Sequence, residues 1–129
     1  MSFQQAARNY KKNAILTAPP EKLVVMLYEG AIQRLEKVRQ QLDKGETAPS
    51  APEIGQALTR AMSIISELRA SLDMEKGGEI SASLDRLYEF CTDRILRANM
   101  ERKPGLVEET LTILRTLKEG WDGILMQRV

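Results

Sequence analysis

Four apolar stripes at helical spacing, held apart by chain breakers, constrain this sequence more than any other feature. Val24, Tyr28, Ala31, Leu35, Val38 and Leu42 recur at intervals of 4-3-4-3-4, and Ile54, Leu58, Ala61, Ile65, Leu68 and Leu72 repeat them. A third set is Ile80, Leu84, Leu87, Cys91, Ile95 and Ala98, and a fourth is Val107, Leu111, Leu114, Leu117, Trp121 and Ile124. Each stripe lines one side of a helix and needs an apolar partner. No segment alternates with period two for long enough to read as a strand. The spacing predicts helices over about residues 20–43, 53–75, 79–102 and 105–127 of a single domain spanning 1–129.

The breakers agree with those limits. Residues 43–52, DKGETAPSAP, combine glycine, two prolines and small polar residues and read as the one true linker. Pro20 suits a first helical turn, where its missing N–H costs nothing, and Glu21 complements the helix dipole there. Gly77 is placed to take a left-handed position after the second helix, and Pro104 to open the fourth, with Glu108 and Glu109 in its early turns. Helices of this length span roughly 30 Å each. Three connections joining four such helices favour an all-α, antiparallel up-down four-helix bundle. A short helical or extended segment, residues 1–17, is expected to pack on it. Its stripe of Phe3, Ala7, Tyr10 and Ala14 is too short to hold a helix alone.

Charge and composition narrow the function. Lys and Arg number 19 against 18 Asp and Glu, a balance that argues against nucleic-acid binding, which draws on a basic face for counterion release. There is no histidine, so the commonest general base and metal ligand are missing. The Glu-x-x-His pairs of a dinuclear bundle site are therefore absent, and Gly77-Gly78 fits no phosphate-binding pattern. No paired carboxylates sit on an apolar face. Catalytic residues, cofactors and metals are accordingly not expected. The single cysteine, Cys91, falls on the third stripe and reads as a small core residue; a lone thiol fits a reducing, cytoplasmic compartment. The first residues, MSFQQAARNYKKN, lack a signal peptide's apolar stretch, and no apolar run is long enough for stable membrane insertion.

Residues 23–28, LVVMLY, are six consecutive apolar residues that point in every direction around a helix. A bundle helix needs one stripe, and the second half of the same helix obeys this, with Gln33, Arg34, Glu36, Lys37, Arg39 and Gln40 facing out. Two readings follow. Either the N-terminal segment covers the surplus, or Leu23, Met26 and Leu27 line a groove for an amphipathic partner, with Gly30 and Ala31 allowing close approach. The two are compatible if the N-terminal segment is a movable lid. Trp121 is either core or a binding hot spot.

The ordered motifs resemble one family. Tyr10 is followed by Thr17-Ala18-Pro19-Pro20-Glu21-Lys22-Leu23, then Met26-Leu27-Tyr28-Glu29-Gly30-Ala31-Ile32. Further on come residues 64–79, IISELRASLDMEKGGE, then Leu87-Tyr88, Ala98-Asn99 and Trp121. This series resembles the FliS family of flagellin export chaperones along nearly the whole chain. It departs from the family pattern at Pro19, at Lys103-Pro104-Gly105 and at Gly120. The resemblance implies a cytoplasmic chaperone that binds the C-terminal segment of flagellin, prevents premature polymerisation and assists delivery to the flagellar type III export apparatus. It implies possible contacts with export gate components and adds Tyr10 and Tyr88 to the groove residues. A monomer or weak dimer is expected. The alternative is a structural or regulatory bundle that self-associates through the same patch.

Overall fold

The computed structural model describes residues 20–45 and 52–127, and among them it contains four helices and no strand. These are α1 (Pro20–Asp43), α2 (Pro52–Ala70), α3 (Met74–Glu101) and α4 (Pro104–Gln127). The helices form a ring: α1 and α3 each pack against α2 and α4 and face one another across the core. The α1–α4 seam runs antiparallel. Arg39 pairs with Glu108 at 3.1 Å, Glu36 with Arg115 at 3.1 Å and Glu29 with Lys118 at 3.8 Å, one partner's number rising as the other's falls. Half-exposed ion pairs of this kind add little stability individually. The expected all-α four-helix bundle is the observed fold; the segment 1–17, with its lid, lies outside the described residues.

The first, second and fourth stripes largely fill the core as their spacing requires. Tyr28, Ala31, Leu35 and Val38 of α1, Ala61 and Ile65 of α2, and Val107, Leu111 and Leu114 of α4 are all fully buried. The third stripe is different. Leu87 and Ile80 are exposed, Ile80 at 73%, while Ser81 and Tyr88 are buried. The buried face of α3 therefore reads Ser81, Leu84, Tyr88, Cys91, Ile95 and Ala98. That is a regular 3-4-3-4-3 series which includes a serine and a tyrosine, so a count of aliphatic residues alone misses it.

The α2–α3 connection explains the shift. The second helix was expected to run to about residue 75, but α2 ends at Ala70 and the chain reverses within Ser71, Leu72 and Asp73. Ser71 Oγ donates to the Leu68 carbonyl at 2.7 Å, closing the last turn of α2. Asp73 then caps α3: its Oδ1 accepts from the backbone N–H groups of Glu75 at 3.1 Å and Lys76 at 2.9 Å, two of the donors a helix start leaves unpaired. Gly78, with φ 51° and ψ −127°, kinks the helix after one turn in a conformation open to glycine, whereas Gly77, expected to be left-handed, is not. Gly77 is needed for space instead. A Cβ there would lie 1.8 Å from Ser81 Oγ, which donates to the Asp73 carbonyl at 3.0 Å and ties the kink together.

The α3–α4 turn uses Arg102 in the left-handed region, φ 55°, with its N–H donating to the Ala98 carbonyl at 2.8 Å. Pro104 opens α4 as expected, and the helix continues through Gly120. Short turns at both ends of α3 leave one end of the bundle with the start of α1, the end of α2, the start of α3 and the end of α4.

Candidate functional site

At that end the helices do not close over the core. A cavity of about 490 Å³ lies between Leu23, Val24 and Leu27 of α1, Leu68 of α2, Ile80, Leu84 and Tyr88 of α3 and Trp121 of α4, with Leu72 and the polar Ser71, Asp73 and Ser81 also lining it. A second depression of about 340 Å³ adjoins it through Leu23 and Leu27 and adds Met26 and Glu67. A third, of about 320 Å³, shares Ile80, Leu84 and Trp121 and adds Leu117. Together they form an apolar track from the α1–α2 seam to the α3–α4 seam. Some 590 Å³ of open space at the opposite end is bordered by Gln56, Thr59, Arg60 and Asn99, a polar set with no comparable apolar surface.

The six-residue apolar run divides accordingly. Val25 and Tyr28 are buried, whereas Leu23, Val24, Met26 and Leu27 are half-buried and border the track. Gly30 and Ala31 do not. Ala31 is fully buried in the core, and a Cβ on Gly30 would lie 3.5 Å from Ile64 Cδ1 of α2. Ala31 therefore belongs to the core, and a Cβ at Gly30 would make only ordinary contact with α2. Tyr10 lies outside the described residues. Tyr88 is only 2% exposed, yet it borders the cavity. Leu68, Leu72, Ile80 and Leu84 read from the sequence as core stripe residues, and Trp121 as either core or hot spot; the available clue is that each stands near a stripe's end, where a finite bundle runs out of neighbours.

One polar group lies beneath the cavity. The Tyr28 and Tyr88 hydroxyls are hydrogen-bonded to each other across the ring, their ring centroids 6.4 Å apart and tilted by 46°. Burial pushes the Tyr28 phenol upward, an effect its hydrogen bond with Tyr88 partly offsets. Burial, reinforced by the bond to Tyr28, raises the Tyr88 phenol. Burial also pushes the Cys91 thiol up to about 11.

These three groups fix the sign of the alkaline response. Each holds its proton more tightly folded than unfolded, so stability falls as pH rises above the unfolded values, about 9 for the thiol and about 10 for the phenols. The urea midpoint is expected to show no slope from these groups between pH 7 and 8 and to drop progressively above about pH 9. Cys91→Ala should remove the earliest part of that drop. A neutral thiol this buried should also resist alkylation at pH 7.5 until the protein unfolds. Rapid labelling of the native protein would contradict its placement.

The site offers apolar binding and no catalytic chemistry among the described residues. No group of three metal-ligating side chains is assembled there, and no described helix is long and apolar enough to cross a membrane.

Comparison with known proteins agrees with this picture. A family profile described as "Flagellar protein FliS" matches residues 3–128. The chain is 37% identical over 128 residues to flagellar secretion chaperone FliSB of Pseudomonas aeruginosa, covering 96% of this chain and 98% of that one. It is 36% identical over 114 residues to flagellar secretion chaperone FliS of Salmonella typhimurium, covering 88% and 82%. A solved structure described as a flagellar chaperone from bacteria superposes with a TM-score of 0.74 at 23% identity, covering 98% of this chain and 99% of its own, which supports the fold.

Proposed function

Because this chain belongs to the FliS family, a family of flagellar secretion chaperones and not of enzymes, we propose that it binds the C-terminal segment of flagellin in the cytoplasm. It thereby prevents premature polymerisation and accompanies flagellin to the flagellar type III export apparatus, where export gate components are further partners. The observation that carries this reading is the apolar track at the open end of the bundle. Leu23, Met26, Leu27, Leu84 and Trp121 are all partly exposed there and lie side by side along it. An amphipathic segment laid along the track would bury these side chains together with its own apolar face, the face it uses for helix contacts in a filament. Ordering such a segment costs conformational entropy, which keeps the complex releasable.

Co-purification tests the reading. Intact flagellin should co-elute with this protein as a stoichiometric complex on size exclusion, and flagellin lacking its C-terminal segment should not. If the protein instead elutes alone as a dimer or larger species, unchanged by intact flagellin, the track is a self-association surface.

A further inference from the structure

Gly120 stands in the interior of α4, where glycine is the poorest ordinary helix former after proline. Two other glycines answer to a clear need, Gly78 through its positive φ and Gly77 through the Ser81 side chain beside it. Gly120 answers to neither. Its φ is not positive, and among the described residues no atom lies within 4 Å of where a Cβ would stand. The space beside it is the depression of about 320 Å³ on the α3–α4 side, bordered by Gly120 with Ile80, Leu84, Thr116, Leu117 and Trp121. Ile80, Leu84 and Trp121 also border the central cavity, so this depression continues the track. Ile80 is 73% exposed, more than any other large apolar residue along the track.

We propose that Gly120 is a specificity-determining gap in the track, which receives one large apolar side chain of the docked segment over the bare backbone of α4, between Ile80 and Trp121. The inference rests on the function proposed above and adds a requirement to it. The flagellin segment carries a leucine, isoleucine, methionine or phenylalanine where it meets Gly120. Seating that side chain removes it from water together with Ile80, the largest apolar surface the track still exposes. A side chain at position 120 would stand in the same depression and compete with the incoming group. The glycine thus weakens the free helix while leaving room that only a partner fills, a loss of stability of the kind functional sites carry.

Calorimetry of the full-length chaperone with a synthetic peptide of the cognate flagellin C-terminal segment, beside thermal melts of each variant, tests the gap. Gly120→Leu should raise the melting temperature by about 2–4 °C through helix propensity. It should also weaken peptide binding by about 10-fold or more, the effect of overpacking one apolar site. Gly120→Ala should move both quantities in the same directions, binding by less. A glycine with only a structural role would not make stability and affinity move in opposite senses. Thr112→Leu adds bulk on an exposed face of α4 away from all three depressions and should leave binding unchanged. Truncating the peptide's large apolar residues to alanine one at a time then finds the occupant. One truncation should weaken binding to the native protein yet cost little in Gly120→Leu, whose leucine already excludes that side chain. Native affinity in Gly120→Leu, an equal loss in Thr112→Leu, or truncations that cost the same in both proteins would each overturn the gap. So would a lowered melting temperature in Gly120→Leu, which would show that the position is packed. Native affinity in Gly120→Leu with the peptide lost on Leu27→Asp leaves the groove standing without the gap. Normal binding by both variants puts the segment off the track, and no binding to the native protein sinks the proposed function itself.

Discussion

Leu27→Asp is expected to reduce affinity for the flagellin C-terminal segment by roughly 30-fold or more, the loss that accompanies a hot-spot contact of about 2 kcal/mol. Leu27 borders both the central cavity and its neighbour on the α1–α2 side, so a carboxylate there meets the docked segment from two directions. It is only half-buried, which leaves the carboxylate a path to water in the free protein but not beneath a bound helix. Leu27 also packs against the core, so the variant's helicity and unfolding midpoint must be measured beside its affinity. Met26→Asp provides the companion test, since Met26 borders the track without belonging to that core contact set. Glu36→Ala should leave binding unchanged. Its partner is Arg115 at 3.1 Å on the α1–α4 seam, away from the open end, and a half-exposed pair contributes little. Normal binding by folded Leu27→Asp and Met26→Asp variants would show that the segment docks elsewhere.

The largest effect on stability is expected inside the ring. Leu35 is fully buried at the middle of α1. Truncation to alanine removes three carbons from a packed interior and leaves a cavity that neighbouring helices fill only in part, at a cost of about 2–5 kcal/mol. Against a typical total of about 5–15 kcal/mol this is a large fraction, and it should lower the melting temperature by roughly 10 °C or more. Leu96→Ala on α3 is the matched control. Leu96 is 47% exposed, and its loss should move the transition by less than about 0.5 kcal/mol. Circular dichroism melts of the two variants decide the matter. Equal shifts would mean that Leu35 is not packed as the ring requires.

The contrast between Leu35 and Leu96 shows how far the sequence reading reaches. Both are leucines in helices, but Leu35 belongs to a 4-3-4-3-4 series and Leu96 to none, and burial follows that difference. The reading is weaker where the inward-facing series contains polar atoms. Leu87 falls on the aliphatic stripe yet is exposed, whereas Tyr88, outside that stripe, is buried and borders the cavity. A buried tyrosine needs a partner for its hydroxyl, and Tyr88 has one in Tyr28, 60 residues earlier in the chain. No pattern within either helix reveals that pairing.

The sequence by itself determined the class of the fold, the number of long helices, the approximate positions of their breaks and the family, because each is written in local spacing and ordered motifs. Periodicity reports how side chains fan around one helix axis, and Pro, Gly and Asp act on the turn in which they stand. Tertiary structure alone decided which stripe residues become walls of an open end and which become core. Leu68 and Leu84 occupy equivalent stripe positions, yet Leu68 is 1% exposed and Leu84 remains only partly covered. The difference comes from the Asp73-capped turn, the kink at Gly78 and the distance to which each neighbouring helix extends. Those are relations among four chain segments, and burial at the end of a bundle depends on all of them at once.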